Sequence, residues 1–303
     1  METGLAVTLP SAEHEGAAVV DIETVAVIGA GTMGSGIAHV FARSGFQVLL
    51  CDVERRFLDR ALGQIRTNLG REVSKGKLDA AEVEPALARI TAIVDREALS
   101  HAEFVVEAAP ERFDLKAELF HALDKILPEG AILASNTSSI SITRLAALTG
   151  RPAQVVGMHF FNPVPVMALV EVVRGLATSD STYATVYELS VLVGKTPIEV
   201  SDAPGFVSNR VLMPLINEAA FAVMEGVAAP EAIDQVFKLG MAHPMGPLTL
   251  ADFIGLDVCI DILRVLQEGF GDPKYRPCPL LVRMVDAGWL GRKSGRGFFS
   301  YEK

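Results

Sequence analysis

The sequence predicts an α/β protein in which a mostly parallel sheet with an antiparallel extension is followed by an all-α domain. Apolar strand patterns alternate with helical patterns through the first half of the chain, which favours a parallel sheet covered on both faces. After residue 150, two apolar runs are joined by a connection too short for a parallel crossover. Beyond residue 202, no convincing strand precedes the C-terminal tail.

Composition limits the possible functions. The chain has 303 residues, half of them hydrophobic, and a formal net charge of −10, which argues against nucleic acid and an anionic membrane surface as partners. Its three scattered cysteines form no metal-ligand cluster, so we expect reduced thiols, a cytoplasmic protein and no metal site. No window reaches the roughly 18 uncharged apolar residues expected of a membrane-spanning helix.

The first domain is predicted over residues 22–202. Residues 1–21 lack Lys and Arg, and we interpret them as a disordered or loosely attached extension rather than a signal peptide. A helix follows the glycines at 29–34 and stops at Gly45, and Asp79 with Glu82 resembles another helix start. Further helices are predicted at 54–71 and 115–126, and strands at 24–28, 47–51, 90–94, 104–107 and 131–135.

The antiparallel extension is predicted from residues 155–161 and 168–174, which NPVPVM connects. A helix at about 181–193 and a strand at 198–201 close the first domain, and DAPG at 202–205 has the composition of a linker. The second domain, residues 203–303, contains three segments that we interpret as helices. Turns with glycine and proline separate these segments. The segments cover residues 206–226, 230–240 and 248–269.

Gly29, Gly31 and Gly34 form a GxGxxG motif between a predicted strand and a predicted helix. In a Rossmann-type domain the first glycine permits a tight turn, the second lets the backbone approach a pyrophosphate, and the third permits close packing. The free N–H groups at the helix start would then face the anion. The alternative is a purely structural glycine turn.

Asp52 ends the second strand, 23 residues after Gly29. A carboxylate there can accept hydrogen bonds from the adenosine ribose and repels a 2′-phosphate, which favours NAD. Arg55 and Arg56 lie close by and keep NADP open as the cofactor, because either could reach a 2′-phosphate.

His159 and Glu171 lie in the otherwise apolar stretch GMHFFNPVPVMALVEVVRG. An unpaired buried carboxylate is costly, so the two residues explain each other as a structural pair or as a catalytic dyad. Histidine suits proton transfer near neutral pH, and a carboxylate on its second nitrogen would fix the tautomer.

Long motifs in one order then resemble the 3-hydroxyacyl-CoA dehydrogenase family: GAGTMGSGIA, ASNTSS, GMHFFNPVPVM, PGFVSNR, HPMGPLTLADFIGLD and GRKSGRGF. The resemblance runs from about Thr24 to the end of the chain. It implies NAD-dependent interconversion of (3S)-3-hydroxyacyl-CoA and 3-ketoacyl-CoA, with the four-carbon substrate of the short-chain bacterial members preferred. It also implies a homodimer. One departure is Ala168, where the family commonly has lysine.

The resemblance implies a role for each matching residue. His159 becomes the general base and Glu171 its orienting partner, while Ser138 and Asn209 surround the reacting oxygen and the acyl-CoA substrate. Asn68 and Lys75 are the further candidates for contacts with CoA. The implied cofactor residues are Gly29, Gly31, Thr32, Met33, Gly34, Asp52, Glu111, Lys116, Asn136, Ser138, Asn162 and Lys293.

Several of these residues have simpler interpretations. Ser138 could cap a helix, and Asn209 could sit passively at a helix start. Glu111 and Lys116 could form a solvated helix edge, and Lys75 could belong to an exposed basic helix face. For the whole protein, the alternatives are a related dehydrogenase of a free hydroxy acid or sugar acid, and a non-catalytic NAD-binding protein.

Overall fold

The computed structural model describes residues 22–301, so the predicted extension at 1–21 lies outside the described residues. Eight strands form one sheet in the spatial order β3-β2-β1-β4-β5-β6-β7-β8. All neighbouring strands run parallel except β6 and β7. The strands are β1 (Thr24–Ile28), β2 (Gln47–Cys51), β3 (Ile90–Ile93), β4 (Phe104–Glu107), β5 (Ile132–Ser135), β6 (Val155–Phe160), β7 (Leu169–Arg174) and β8 (Thr196–Ser201).

Helices cover both faces of this sheet and then continue alone, giving a Rossmann-type domain followed by a helical domain, as predicted. Against the sheet lie α1 (Thr32–Arg43), α2 (Arg55–Ser74), α3 (Val83–Ala88), α4 (Phe113–Ile126), α5 (Ile142–Ala146) and α6 (Asp180–Leu192). The helical domain contains α7 (Ser208–Met224), α8 (Pro230–Gly240), α9 (Pro247–Ile254), α10 (Leu256–Phe270) and α11 (Pro279–Asp286). The predicted division at residue 202 falls between β8 and α7 and stays a prediction.

The sheet sits between two apolar cores, because its central strands are buried on both sides. Val25 and Val27 of β1 face the α1 side with Phe41, whereas Ala26 and Ile28 face the α4 side with Phe120. A third core holds the helical domain together around α7, α10 and α11. Among residues 22–301, no helix is both long and apolar enough to cross a membrane.

The antiparallel extension is confirmed. Strands β6 and β7 pair in a register that sets His159 opposite Glu171. Side chains directly opposite each other on neighbouring strands share one face of the sheet and lie within contact distance. The register therefore brings the two polar residues of this apolar stretch together.

The third helical segment differs from its prediction. Residues 248–269 do not form one helix, because Gly255 adopts a φ of +107° and separates α9 from α10. A side chain at this position would strain the backbone and meet Lys293 and Asp257 at 3.0 Å. Helix α11 was not predicted, although Pro279 begins it in the way typical of a helix start.

Candidate active site

The turn from β1 into α1 contains three glycines, and each has a different structural role. Gly29 has a φ of +95° and donates its N–H to Cys51 of β2 at 2.8 Å. A Cβ on Gly34 would lie 1.7 Å from the carbonyl oxygen of Gly29, so this position must stay bare for helix and strand to pack. A Cβ on Gly31 would meet nothing within 4 Å, so its backbone faces open space.

The residues at the start of α1 fit a dinucleotide pyrophosphate. Gly31 precedes the helix without a side-chain hydrogen bond to cap it, and the first turn has no acidic residue. The N–H groups of Thr32, Met33 and Gly34 are thus left for an anion at the positive end of the helix dipole. The turn also lies beside β4, where the strand order reverses and α/β proteins bind ligands.

Asp52 closes this site from the end of β2. One carboxylate oxygen accepts the N–H of Ala30 at 2.6 Å, and the other accepts that of Val53 at 2.7 Å. Each oxygen keeps a second lone pair that a ribose hydroxyl could use. Arg55 and Arg56 are exposed, and they pair with Asp59 and Glu54 respectively. Each arginine would have to leave its carboxylate partner in order to bind a 2′-phosphate.

Gly31→Ala should separate cofactor binding from folding. Since the φ of Gly31 is −72° and the space around it is open, alanine should fold normally. A methyl group there would stand between the backbone and a pyrophosphate, so we expect NADH affinity to fall about tenfold or more. Fluorescence titration with NADH measures the affinity, and a thermal melt measures the stability.

Gly63→Ala is the matched control for this change. Gly63 is exposed on α2, and a Cβ there also meets nothing within 4 Å. Its NADH affinity should equal that of the wild type. Equal NADH affinity in Gly31→Ala would contradict the placement of the pyrophosphate at this turn.

The His159–Glu171 pair lies at the same edge of the sheet. The Nδ1 atom of His159 is 2.8 Å from Oε2 of Glu171, and both side chains are buried. The rings of Phe161 and Phe206 lie 4.7 and 5.8 Å from the imidazole. If Nδ1 carries the proton, as the carboxylate requires, Nε2 has the free lone pair and can accept a proton from a substrate.

Glu171 is also held by the helical domain. Ser208, the first residue of α7, donates its N–H to Oε1 at 2.9 Å and its hydroxyl to Oε2 at 3.0 Å. Burial alone would raise the pKa of Glu171, but the bonds from His159 and Ser208 lower this pKa below its ordinary value. Left-handed backbone at Gly205 and Phe206 turns the chain from the sheet into α7 and makes this contact.

The SNTSS loop after β5 is organised by Glu111. Oε1 of this carboxylate accepts the N–H groups of Ser138 and Ser139 at 3.0 Å and the hydroxyl of Thr137 at 2.5 Å. Burial would raise the pKa of Glu111, but Lys116 and the loop donors hold it below its ordinary value. Glu111 thus acts as an anchor for the loop that carries Ser138.

Lys116 lies beneath this anchor. Its side chain is 1% exposed and pairs with Glu107 at 2.6 Å and with Glu111 at 3.3 Å. Glu107 in turn accepts the hydroxyl of Ser135 at 2.6 Å. The alternative of a solvated helix edge is therefore wrong for Lys116, whose contacts pass through Glu111 to the loop.

Ser138 and Asn209 meet across the two domains. The side-chain Nδ2 of Asn209 lies 3.4 Å from the carbonyl oxygen of Ser138. The capping role considered for Ser138 belongs to Ser141, whose hydroxyl accepts the N–H of Arg144. Among residues 22–301, the Ser138 hydroxyl has one long contact, with Glu111 at 3.4 Å, so it is able to turn toward a substrate.

Two other predicted asparagines lie near the β6–β7 hairpin. Asn136 joins the end of β5 to β6, because its Oδ1 accepts the N–H of Phe160 at 2.9 Å. Asn162 is exposed at the start of the hairpin loop. This loop rests on α1, since a Cβ on Gly36 would lie 2.8 Å from Cβ of Val164. The loop that follows Asn162 thus packs on the helix that follows the dinucleotide turn.

The predicted CoA residues share a groove with the hairpin loop, whereas Lys293 lies elsewhere. The groove has a volume of about 200 Å³ and opens between the C-terminal end of α2 and the loop. Lys293 pairs with Asp257 in the helical domain at 2.5 Å, and the described contacts do not join it to the dinucleotide turn. Lining the groove are Asn68, Arg71, Glu72, Lys75, Lys77, Pro163, Pro165 and Val166.

Ser208 and Glu107 were missed at the sequence level. Ser208 lies inside the PGFVSNR motif, but only the fold shows that it reaches Glu171. Glu107 did carry a signal, because it is a charged residue that ends the apolar strand FVVE. A carboxylate at the carboxyl end of a buried strand points to the site edge of an α/β sheet.

Chemically, this edge of the sheet can bind a dinucleotide and move a proton, and together these abilities define a nicotinamide-dependent dehydrogenase. Two family models agree with this class. The 3-hydroxyacyl-CoA dehydrogenase, NAD binding domain, matches residues 24–203, and the 3-hydroxyacyl-CoA dehydrogenase, C-terminal domain, matches residues 205–301. The chain belongs to the 3-hydroxyacyl-CoA dehydrogenase family and is an NAD-dependent oxidoreductase.

Similar proteins cover nearly the whole chain. It is 56% identical to the probable 3-hydroxybutyryl-CoA dehydrogenase of Bacillus subtilis, over 93% of this chain and 99% of the relative. It is 52% identical to the 3-hydroxybutyryl-CoA dehydrogenase of Bradyrhizobium diazoefficiens, over 92% and 96%. The crystal structure of (S)-3-hydroxybutyryl-CoA dehydrogenase PaaH1 from Ralstonia eutropha has a TM-score of 0.91 and 51% identity, over 93% of this chain and 100% of that chain.

Proposed function

We propose that this enzyme interconverts (3S)-3-hydroxybutyryl-CoA and acetoacetyl-CoA, with His159 as general base and general acid. The observation that supports this best is the buried His159–Glu171 pair, joined at 2.8 Å at the edge of the sheet that carries the dinucleotide turn. The names of the similar proteins support the four-carbon substrate.

The proposed chemistry needs one proton transfer and one hydride transfer. NAD, when bound, accepts the hydride from C3 of the hydroxyacyl group. Nε2 of His159 takes the hydroxyl proton in the same direction, and Glu171 stabilises the imidazolium that forms. In the reverse direction the imidazolium returns this proton to the carbonyl oxygen.

Ser138 and Asn209 would stabilise the reacting oxygen. Both are neutral donors, so they can hold a partial negative charge without placing a cation beside the histidine. The side-chain Nδ2 of Asn209 lies 3.4 Å from the carbonyl oxygen of Ser138, which supports a joint role for these two neighbours. We propose that Glu111 and Lys116 contribute to cofactor binding by holding the Ser138 loop in place.

The CoA part of the substrate would lie in the groove beside α2. Lys75 and Lys77 follow the end of this helix, and Arg71 lies one turn earlier. Such a basic cluster can attract the phosphates of CoA in a protein that is acidic as a whole. The exposed Ala168 directly precedes β7, so a lysine there would add a positive charge at the end of the loop.

The direct test is turnover of acetoacetyl-CoA with NADH, followed by the loss of NADH absorbance. The parallel substrates are free acetoacetate, longer 3-ketoacyl-CoA esters, and NADPH in place of NADH. We expect rapid turnover of the four-carbon ester with NADH. Absence of turnover, with NADH binding intact, would contradict the proposed function, and faster turnover of the free acid would redirect it to that substrate class.

We also propose that the enzyme is a homodimer formed through its helical domain. The exposed side of this domain carries several large apolar side chains, and such patches mark protein–protein contacts. A second copy would cover them. They include Val207, Val211, Val227, Val236, Leu239 and Phe253.

Light scattering should give a molar mass twice that of one chain. Leu239 is 83% exposed, and Leu239→Asp should shift the mass toward one chain because a charge opposes burial in an interface. Leu176→Asp is the matched control, since Leu176 is exposed in the other domain. A wild-type mass equal to one chain would contradict the dimer.

We further propose a cytoplasmic location. Cys51, Cys259 and Cys278 are all unpaired and buried, as expected in a reducing compartment. Fractionation of cells, with the acetoacetyl-CoA assay on each fraction, tests this location. Activity confined to an exported fraction would contradict it.

A further inference from the structure

A lysine lies inside the protein at the turn between α6 and β8. Gly194 adopts a φ of +75°, and the next residue, Lys195, points inward and is 7% exposed. Its ammonium donates to the carbonyl oxygen of Val164, and to that of Met167 at 2.8 Å. Both carbonyls belong to the β6–β7 loop, so one buried side chain holds two points of this loop.

Lys195 keeps this position at an electrostatic cost. Burial first, and then the nearby charge of Arg43, lower the pKa of Lys195 to about 8, while Glu72 opposes this shift. Glu72 on α2 in turn accepts a hydrogen bond from Arg43 at 3.0 Å and lies 3.3 Å from the ring of His39. The two carbonyl oxygens supply the hydrogen bonds that a buried ammonium needs.

The loop held by Lys195 has an inner and an outer face. On the inner face, Val164 is buried against Gly36 of α1. On the outer face, Pro163, Pro165 and Val166 line the groove opposite the basic end of α2. Two of the loop's own backbone bonds are local, since Val166 and Met167 both donate to Pro163, and one reaches outside it, from the N–H of Thr196 to the carbonyl oxygen of Ala168 at 2.7 Å. The backbone thus fixes the end of the loop beside β8, and Lys195 adds the hydrogen bonds that hold Val164 and Met167.

We propose that Lys195 is a positioning residue for the acyl-CoA substrate, because it attaches the loop that forms one wall of the groove. This inference rests on the proposed location of CoA in that groove. The catalytic pair is held separately, by the β6–β7 register and by Ser208. Removing the ammonium should therefore weaken acyl-CoA binding more than it slows the chemical step.

The experiment measures initial rates of Lys195→Met with acetoacetyl-CoA and NADH. We expect the KM for acetoacetyl-CoA to rise about tenfold, with kcat within about twofold, because methionine removes both hydrogen bonds that hold the loop wall of the groove. Lys125→Met, at an exposed position on α4, should leave both unchanged. Hydrogen exchange should quicken at the amides of Val166 and Met167 but not along β6 and β7.

Two companion variants make the outcome decisive. Lys75→Met tests the groove itself: a raised KM there with an unchanged KM in Lys195→Met overturns the inference alone. An unchanged KM in both variants overturns the groove as well. Lys195→Gln keeps a donor and a folded interior, so it should show a smaller rise. Equal falls of kcat in Lys195→Met and Lys195→Gln, with KM unchanged, would also overturn the positioning role.

Discussion

His159→Ala should lower kcat for acetoacetyl-CoA reduction by about 10²–10⁴-fold, the usual effect of removing a general acid or base. The imidazole is buried, its Nδ1 is bound by Glu171, and Nε2 is the ring nitrogen left for the substrate. Alanine removes this proton donor and leaves Glu171 with its two bonds from Ser208. Steady-state rates with saturating NADH measure the change.

The control for this variant is another histidine. His101 is exposed on the surface, and His101→Ala should keep wild-type kcat. NADH affinity should stay the same in both variants, because the glycine turn and Asp52 do not contact either histidine through any described hydrogen bond. Wild-type turnover of His159→Ala would contradict the assigned role.

The hairpin that holds His159 was predictable from the sequence, but its register was not. A six-residue connection between apolar runs excludes a parallel crossover and leaves antiparallel neighbours. Whether His159 lies opposite Glu171 depends on the register of the two strands. A shift of one residue in this register would turn one of the two side chains to the opposite face of the sheet. The apolar residues on both faces of β6 give no pattern from which to choose.

Contacts between the domains were out of reach for a different reason. Ser208 follows Glu171 by 37 residues, and a helix and a strand lie between them. The glycine and phenylalanine of PGF have to adopt left-handed backbone before the N–H of Ser208 can point at the carboxylate. Sequence periodicity describes each helix and strand, whereas such a contact depends on how the chain turns between them.

Buried charges were the other source of difference. Lys116 and Glu111 are five residues apart, a spacing that by itself is typical of a solvated helix edge. Lys116 is nevertheless buried, because its ammonium pairs with Glu107, which also accepts the hydroxyl of Ser135, and these two partners come from different strands. Similarly, the sequence gives Lys195 the character of an exposed turn lysine. The fold brings the carbonyl oxygens of Val164 and Met167 to its ammonium.

Glu171→Gln should lower kcat by an amount on the order of 10²–10⁴-fold while leaving the fold intact. The carboxylate now accepts from three donors, which are Nδ1 of His159 and both the N–H and hydroxyl of Ser208. An amide has one acceptor oxygen and one NH₂ group, so it cannot accept hydrogen bonds at both positions as the carboxylate does. One contact must be lost or reversed.

The direction of this reversal decides the chemistry. If the amide NH₂ faces His159, Nδ1 has to accept, the proton moves to Nε2, and the ring can no longer take a proton from the substrate. If the amide oxygen faces His159, the tautomer is kept, but the negative charge that stabilises the imidazolium is gone. Both arrangements slow the proton transfer, so the fall in kcat does not depend on which one forms.

Glu118→Gln, exposed on α4, is the matched control and should keep wild-type kcat. The lowered pKa of Glu171 keeps its carboxylate ionised at neutral pH, so Glu171→Gln removes a negative charge that is present under the assay conditions. Wild-type kcat in this variant would mean that the pair is structural and not a catalytic dyad.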